Sequence, residues 1–329
     1  MASELALRRE DEGTEVEARR PSAGPTRLMW RALWRRKIAR LALVYILFFY
    51  AVGFFAPLLA PHGYADQNLN LALRGPSRAH PFGTDRLGRD QLSRVIYAAR
   101  TTTVITIITA VTGGLIIGPA LGLLAGYYGG WLDSLINRAG ETVSSVPDLL
   151  IVILLAATIG PRLNDWVANY YGLPLIGGLL KEGYASMFVL YVVLTLVSWV
   201  GGMRLIRALT LSVRSTDYVL AARAAGASTV RILWHHILPN VMFIIILGVA
   251  ATFGAVALSE IGLSFLGLGV RPPTPSFGTM ILDGFNARTF NNYPWLLLFP
   301  AAFAVLLLLA FNLLGDALND VFNPHTRNE

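Results

Sequence analysis

The chain has 329 residues, of which 54% are hydrophobic and only 14% charged, against about 25% charged residues in an ordinary soluble domain. So little charge cannot cover the surface of a soluble globule of this size. The absence of cysteine excludes disulfide frameworks, thiolate metal sites and cysteine nucleophiles together. A formal net charge of +7 does not make a nucleic-acid reader, because the arginines lie between long apolar runs rather than on one face of a folded domain. The lipid bilayer is the expected partner, and nucleic acid is not.

In chain order, residues 1–27 are charged and polar without an apolar period, and are expected to form a disordered tail. Residues 28–100 hold a first span, a loop and an amphipathic helix; residues 101–318 hold the remaining spans, and 319–329 form a second tail. The basic stretch Arg27–Arg40, interleaved with Trp30 and Trp34, reads as an interfacial lead-in to the first span. A hydrocarbon core of about 30 Å takes roughly 20 helical residues. Six runs meet that length, at 38–60, 101–126, 142–160, 186–208, 240–262 and 295–316. An all-α integral membrane fold of about six helices follows. With the N-terminus inside, the inner segments carry 17 of the 27 Lys and Arg residues and the outer ones 10. Positively charged loops stay cytoplasmic, which puts both termini inside. The loop after the first span runs against this bias with six arginines, although Asp85 and Asp90 lie among them.

The most distinctive inner segment is Thr216 to Asn240, TDYVLAARAAGASTVRILWHHILPN. Thr216 can cap a helix with Asp217 in its first turn, and Gly226 can take the left-handed conformation that ends it. Ser228 can cap a second helix, which Pro239 stops or kinks. Ala221, Ala222, Ala224 and Ala225 leave the first helix slim, while Tyr218, Val219 and Leu220 offer apolar contacts. Such a knob fits a groove in a partner protein. The plainer reading is an amphipathic loop lying on the membrane.

This segment resembles the cytoplasmic coupling loop of ATP-binding-cassette importer permeases. Ala221, Ala222, Gly226, Leu238 and Pro239 match that pattern at its spacing, while Leu220 stands for its Glu and His236 for its Ile. AAR-x-x-GAS followed by HILPN is similar to the peptide and nickel branch. Pro81–Arg100, PFGTDRLGRDQLSRVIYAAR, resembles the stretch before the second span in the second permease subunit of dipeptide and oligopeptide importers. Read physically, it is an interfacial amphipathic helix with Arg94 and Arg100 at its flanks. LSFLGLGVRPPTPSFG (263–278) and FNLLGDALNDVFNP (311–324) are similar to the same subunit, although Asn319 and Asn323 stand where the family commonly has Arg and Asp. The likeness covers roughly 28–324, and residues 161–184 look like an insertion. It implies the type I importer permease fold, with 101–318 as the permease domain. The implied setting is the inner membrane, with a homologous permease partner, two ATP-binding subunits and an extracytoplasmic substrate-binding protein. The coupling residues are then Tyr218, Ala221, Ala222, Gly226, Leu238 and Pro239.

An ATP-hydrolysing chain needs the loop G-x4-G-K-[S/T]. Of the two lysines, Lys37 follows Arg36 and Lys181 follows Leu180, so neither completes it. The chain is therefore read as a non-catalytic subunit without a cofactor of its own, with ATP and magnesium on the partner ATPases. None of the five histidines stands in a metal spacing such as H-E-x-x-H, so no metal site is expected. Asp148 and Glu260 lie in or at the ends of spans, where carboxylates are costly and often functional. Asp148 can cap the helix after Pro147, and Glu260 can face a partner subunit or the translocation path. The alternative function is an ion-gradient-driven secondary transporter with this pair as coupling groups.

Overall fold

A computed structural model describes residues 36–169 and 185–322, and these form helices joined by loops, with one isolated bridge between Thr84 and Asp90. The expected N-terminal tail, most of the Arg27–Arg40 lead-in, residues 170–184 of the insertion and the last seven residues lie outside the described residues. Five helices are long and apolar enough to cross a membrane, or six if one bent pair counts as a span.

Helix α1 (Lys37–Phe54) buries Ala39, Ala42, Ile46, Phe49 and Gly53. That three-to-four-residue spacing makes one packed stripe. Leu41, Val44, Leu47 and Phe48 stay exposed on the rest of the helix, as suits contact with lipid. Helix α2 (Gln91–Tyr128) is a single 38-residue helix. The stretch expected to form a separate interfacial helix before residue 101 is its first turns, and Arg94 is 4% exposed. Asp90 starts α2 as an N-cap, its side chain accepting from Ser93 N.

Proline explains the breaks. Pro119 has no N–H for the carbonyl four residues earlier, and α2 widens over Ala110–Ile117 into π turns just before it. The same device precedes Pro239, where Leu233–Ile237 is π-helical. Pro239 therefore does not end its helix. At Pro147 the chain does break. Helix α3 (Gly130–Ser144) and helix α4 (Asp148–Ala168) meet at 87°, because a residue before proline avoids the helical region. The third span, expected at 142–160, thus begins only at Asp148.

Helix α5 (Ala185–Val213) lies against α2 along Gly118, Gly122 and Gly126. A Cβ at these positions would stand 2.8, 2.6 and 2.8 Å from the carbonyl oxygens of Trp199, Met203 and Arg207. Small residues four apart let helix backbones approach where lipid supplies no hydrophobic drive. After α5 come α6 (Asp217–Ala224), α7 (Thr229–Ile232) and α8 (Leu238–Phe265). The short α9 (Phe277–Gly284) and α10 (Ala287–Asn292) lead into α11 (Trp295–Phe322). One core joins Phe49, Val95, Ala257, Phe277 and Leu307, and a second joins Ile105, Val152, Leu190, Val193 and Val256. Following the spans in order puts both described ends on the same side as α6 and α7, and the 60–90 loop on the other.

Candidate functional site

The segment singled out in the sequence is a helix-turn-helix at the ends of α2 and α5. Gly226 has φ +79°, its N–H donates to Arg223 O (3.0 Å), and Ala227 N–H donates to Ala222 O (3.0 Å). This pair of bonds is a Schellman ending, which needs a residue tolerant of the left-handed region. Ser228 Oγ accepts from Arg231 N at 3.4 Å and starts α7. Thr216 occupies the N-cap position of α6 but does not cap it. Its hydroxyl donates to Val213 O at 2.7 Å.

Val219 does not face outward as expected. It is buried with Ile232 and Ile237, against Leu123, Tyr127 and Val213, and so anchors α6 to the spans. Arg223 lies 5.5 Å from the Tyr127 ring centre, a second tie through cation–π attraction. Tyr218 (44% exposed) and Leu220 (47%) turn outward, and Ala221, Ala224, Ala225 and Gly226 are exposed beside them. Ala222 and Leu238 are half-buried, and Pro239 is exposed. Spans are fastened to this end by ion pairs and caps that the sequence reading missed. Arg207 forks onto Asp133, with Nη2 to Oδ2 at 2.6 Å, and Arg214 donates to the carbonyls of Gly126 (2.9 Å) and Tyr127 (3.1 Å) at the end of α2.

At the opposite end, residues 60–90 fold around Asp85. Its Oδ1 accepts from the N–H groups of Leu87 and Arg89 (both 2.9 Å), and Oδ2 accepts from Arg89 Nε (2.6 Å) and from Arg94. Arg86 donates to Asp283 O (3.2 Å) and Thr289 Oγ1 (2.8 Å). Trp295 Nε1 donates to Thr84 O (3.2 Å), and Phe82 stacks on Phe299 at 4.0 Å. Of the six arginines that run against the charge bias, Arg89 and Arg94 are thus buried, and Arg86 is tied down at the surface. Arg94 does not flank an interfacial helix. It is buried, because the loop brings Asp85 to it.

Glu260 is wholly buried within its own chain, rather than facing a partner. Thr102 Oγ1 of α2 donates to its Oε2 (2.8 Å), and Ser264 Oγ donates to Oε1 (3.1 Å). Ser264 Oγ also accepts from Val270 N (3.2 Å), so the carboxylate fastens α2, α8 and the following loop together. Asp148 is exposed in the first turn of α4, where the helix dipole favours a carboxylate. It borders a cleft of about 450 Å³ that also presents Ser198, Arg204, Thr252 and Ser259. Among the described residues no hydrogen bond or ion pair joins Asp148 to Glu260.

Residues 118–328 match the family of binding-protein-dependent transport system inner membrane components. The chain belongs to this family. Residues 24–77 match the N-terminal transmembrane domain of oligopeptide transport permease C. The chain is 36% identical to the dipeptide transport system permease protein DppC of Bacillus subtilis, over 98% of its own length and 93% of the relative's. It is 35% identical to DppC of Alkalihalophilus pseudofirmus (93% and 92% covered). With the oligopeptide transport system permease protein OppC of Mycobacterium tuberculosis the identity is 34% (92% and 95%). A family member with five or six spans is a multi-pass membrane protein of the type I importer permease fold, as the sequence resemblance implied. It is a transport component rather than an enzyme.

Proposed function

We propose that this chain is the permease subunit of an ATP-driven importer of peptides or related small solutes. It would form half of the translocation path beside a homologous permease. The observation that carries the coupling role is α6, a short helix whose exposed face is small and apolar and whose buried face is bolted by Val219 to the ends of the spans. A helix that docks through one face and is packed through the other transmits a push as rigid-body motion. Two ATPase subunits would hold ATP and its magnesium on the side of α6, which the charge bias assigns to the cytoplasm together with both termini. A substrate-binding protein would deliver the solute at the opposite side of the inner membrane. Tyr218, Ala221, Ala222 and Gly226 are the proposed docking surface, with Leu238 and Pro239 linking it to α8. The cleft beside Asp148 is the proposed part of the path contributed by this chain. No observation favours an ion-driven secondary transporter, since Glu260 is sealed and separate from Asp148.

Gly226→Asp in the complete transporter tests the coupling role. A Cβ at Gly226 meets nothing within 4 Å, but the φ of +79° strains any residue that carries one, so Gly226→Asn, which has the same shape without the charge, is the control for backbone strain. The expected result for Gly226→Asp is normal membrane insertion with labelled dipeptide uptake lost and ATP hydrolysis no longer tied to transport. Uptake at the wild-type rate would overturn the docking role.

A further inference from the structure

His62, His80 and Asp90 come from three places: the chain leaving α1, the turn ahead of Thr84, and the N-cap of α2. One ligand atom from each lies within 4.8 Å of the others. His80 Nδ1 is 2.8 Å from Asp90 Oδ1, and His62 Nδ1 is 3.7 Å from Asp90 Oδ2. The two imidazole rings stand 4.8 Å apart at 34°. Asp90 is already fixed, because its Oδ2 accepts from Ser93 N (2.8 Å) and Ser93 Oγ (2.7 Å). That same Ser93 Oγ accepts from the backbone N–H of His62 at 3.1 Å, which holds the chain after α1 in register with the cap. The cations Arg89 and Arg94 are directed to Asp85.

Two imidazoles and a carboxylate suit a borderline divalent cation, which binds nitrogen and oxygen at about 2.0–2.2 Å in a tetrahedron with ligand atoms roughly 3.3 Å apart. The His80–Asp90 pair is near that spacing. His62 must swing inward, and its side chain is 43% exposed and free to do so. That exposure also gives the cation an entry path, and water fills the open position. The ring nitrogen that binds a cation must present its lone pair, so His80 would bind as the Nε2–H tautomer, and the His80 Nδ1–Asp90 hydrogen bond gives way to shared coordination.

We propose that His62, His80 and Asp90 form a binding site for a zinc-class divalent cation, which pins the chain after α1 to the start of α2. The site is distinct from the transport path and from the α6 docking surface. To test it, the full chain is purified in detergent without a histidine tag, stripped with chelator and titrated with Zn²⁺ alone by calorimetry. The expected result is one Zn²⁺ per chain, with affinity falling by about tenfold or more in His62→Gln and in His80→Gln, on the scale of lost metal contacts. The paired variant His235→Gln/His236→Gln is expected to keep wild-type affinity. Hydrogen exchange at residues 62–66 and 80–93 should slow with Zn²⁺ in the wild type and not in His62→Gln, whose replaced ring is half exposed and whose fold is checked by gel filtration. Absence of binding, equal affinity in the variants at positions 62 and 80, or loss only in the 235/236 variant would each overturn the proposal.

Discussion

The two ends of the molecule invert each other. Around Asp85, charged groups are buried and paired: Arg89 and Arg94 share one carboxylate, and Arg86, Thr84 and Trp295 close the loop onto α9–α11. Around Gly226, apolar groups are exposed among the described residues: Tyr218, Leu220, Val230 and Trp234. A region that has paired its buried charges is complete in itself and serves as a rigid cap. A region that leaves apolar surface next to small residues awaits another protein, since soluble faces seldom keep such patches without a use. The difference marks where the chain holds itself together and where the proposed docking surface lies.

The contrast can be broken most severely at Asp85. Asp85→Asn leaves two buried guanidinium groups without their carboxylate, and removing one partner of a buried pair costs about 3–5 kcal/mol. Loss of the monodisperse detergent-solubilised species, or a large drop in its thermal midpoint, is the expected readout. A midpoint equal to the wild type's would show that the cap is not held by charge. Glu260→Ala comes next, because it strips the acceptor from two buried hydroxyls, each orphan costing about 1–3 kcal/mol. Glu260→Gln keeps an acceptor and should restore most of the midpoint and the uptake. If Gln abolished uptake while stability held, Glu260 would be a coupling group after all. The smallest stability effect belongs to the other end. Tyr218→Ala/Leu220→Ala truncates two half-exposed side chains and should cost about 1 kcal/mol or less of stability. The ATPase subunit is nevertheless expected to be lost on purification in mild detergent. Retention of the ATPase with normal uptake would move the docking surface elsewhere.

Particular residues show how much was legible in advance. Long apolar runs mark spans because no other backbone arrangement satisfies its polar groups in lipid short of a closed barrel. Gly226 and Ser228 were readable as an ending and a start, since the turn between α6 and α7 is decided within six residues. Val219 was not readable as an anchor. Its neighbours Tyr218 and Leu220 look alike in sequence, and only packing against Ile232, Ile237 and Tyr127 turns it inward. The expected helix ahead of residue 101 merged with the span for a similar reason. Three polar residues, Gln91, Ser93 and Arg94, suggest a water interface until the loop supplies Asp85 and Asp90, and α11 the Leu296 carbonyl, as their partners. The break at Pro147 was visible as a proline, whereas the 87° turn it produces was not.

The sequence by itself determined the membrane setting, the approximate number of spans, the helix-turn-helix at 216–240 and the absence of a phosphate-binding lysine. Each is a local property, fixed by residue type and by the period of one helix. Only the tertiary structure decided which arginines are surface charges and which are buried struts, and that Glu260 is a fastening between α2 and α8. It also brought His62, His80 and Asp90 together. Those outcomes depend on how the 60–90 loop folds back on itself and, for Glu260, on a partner 158 residues away, and a polar side chain acquires its role from the group that the fold puts opposite it.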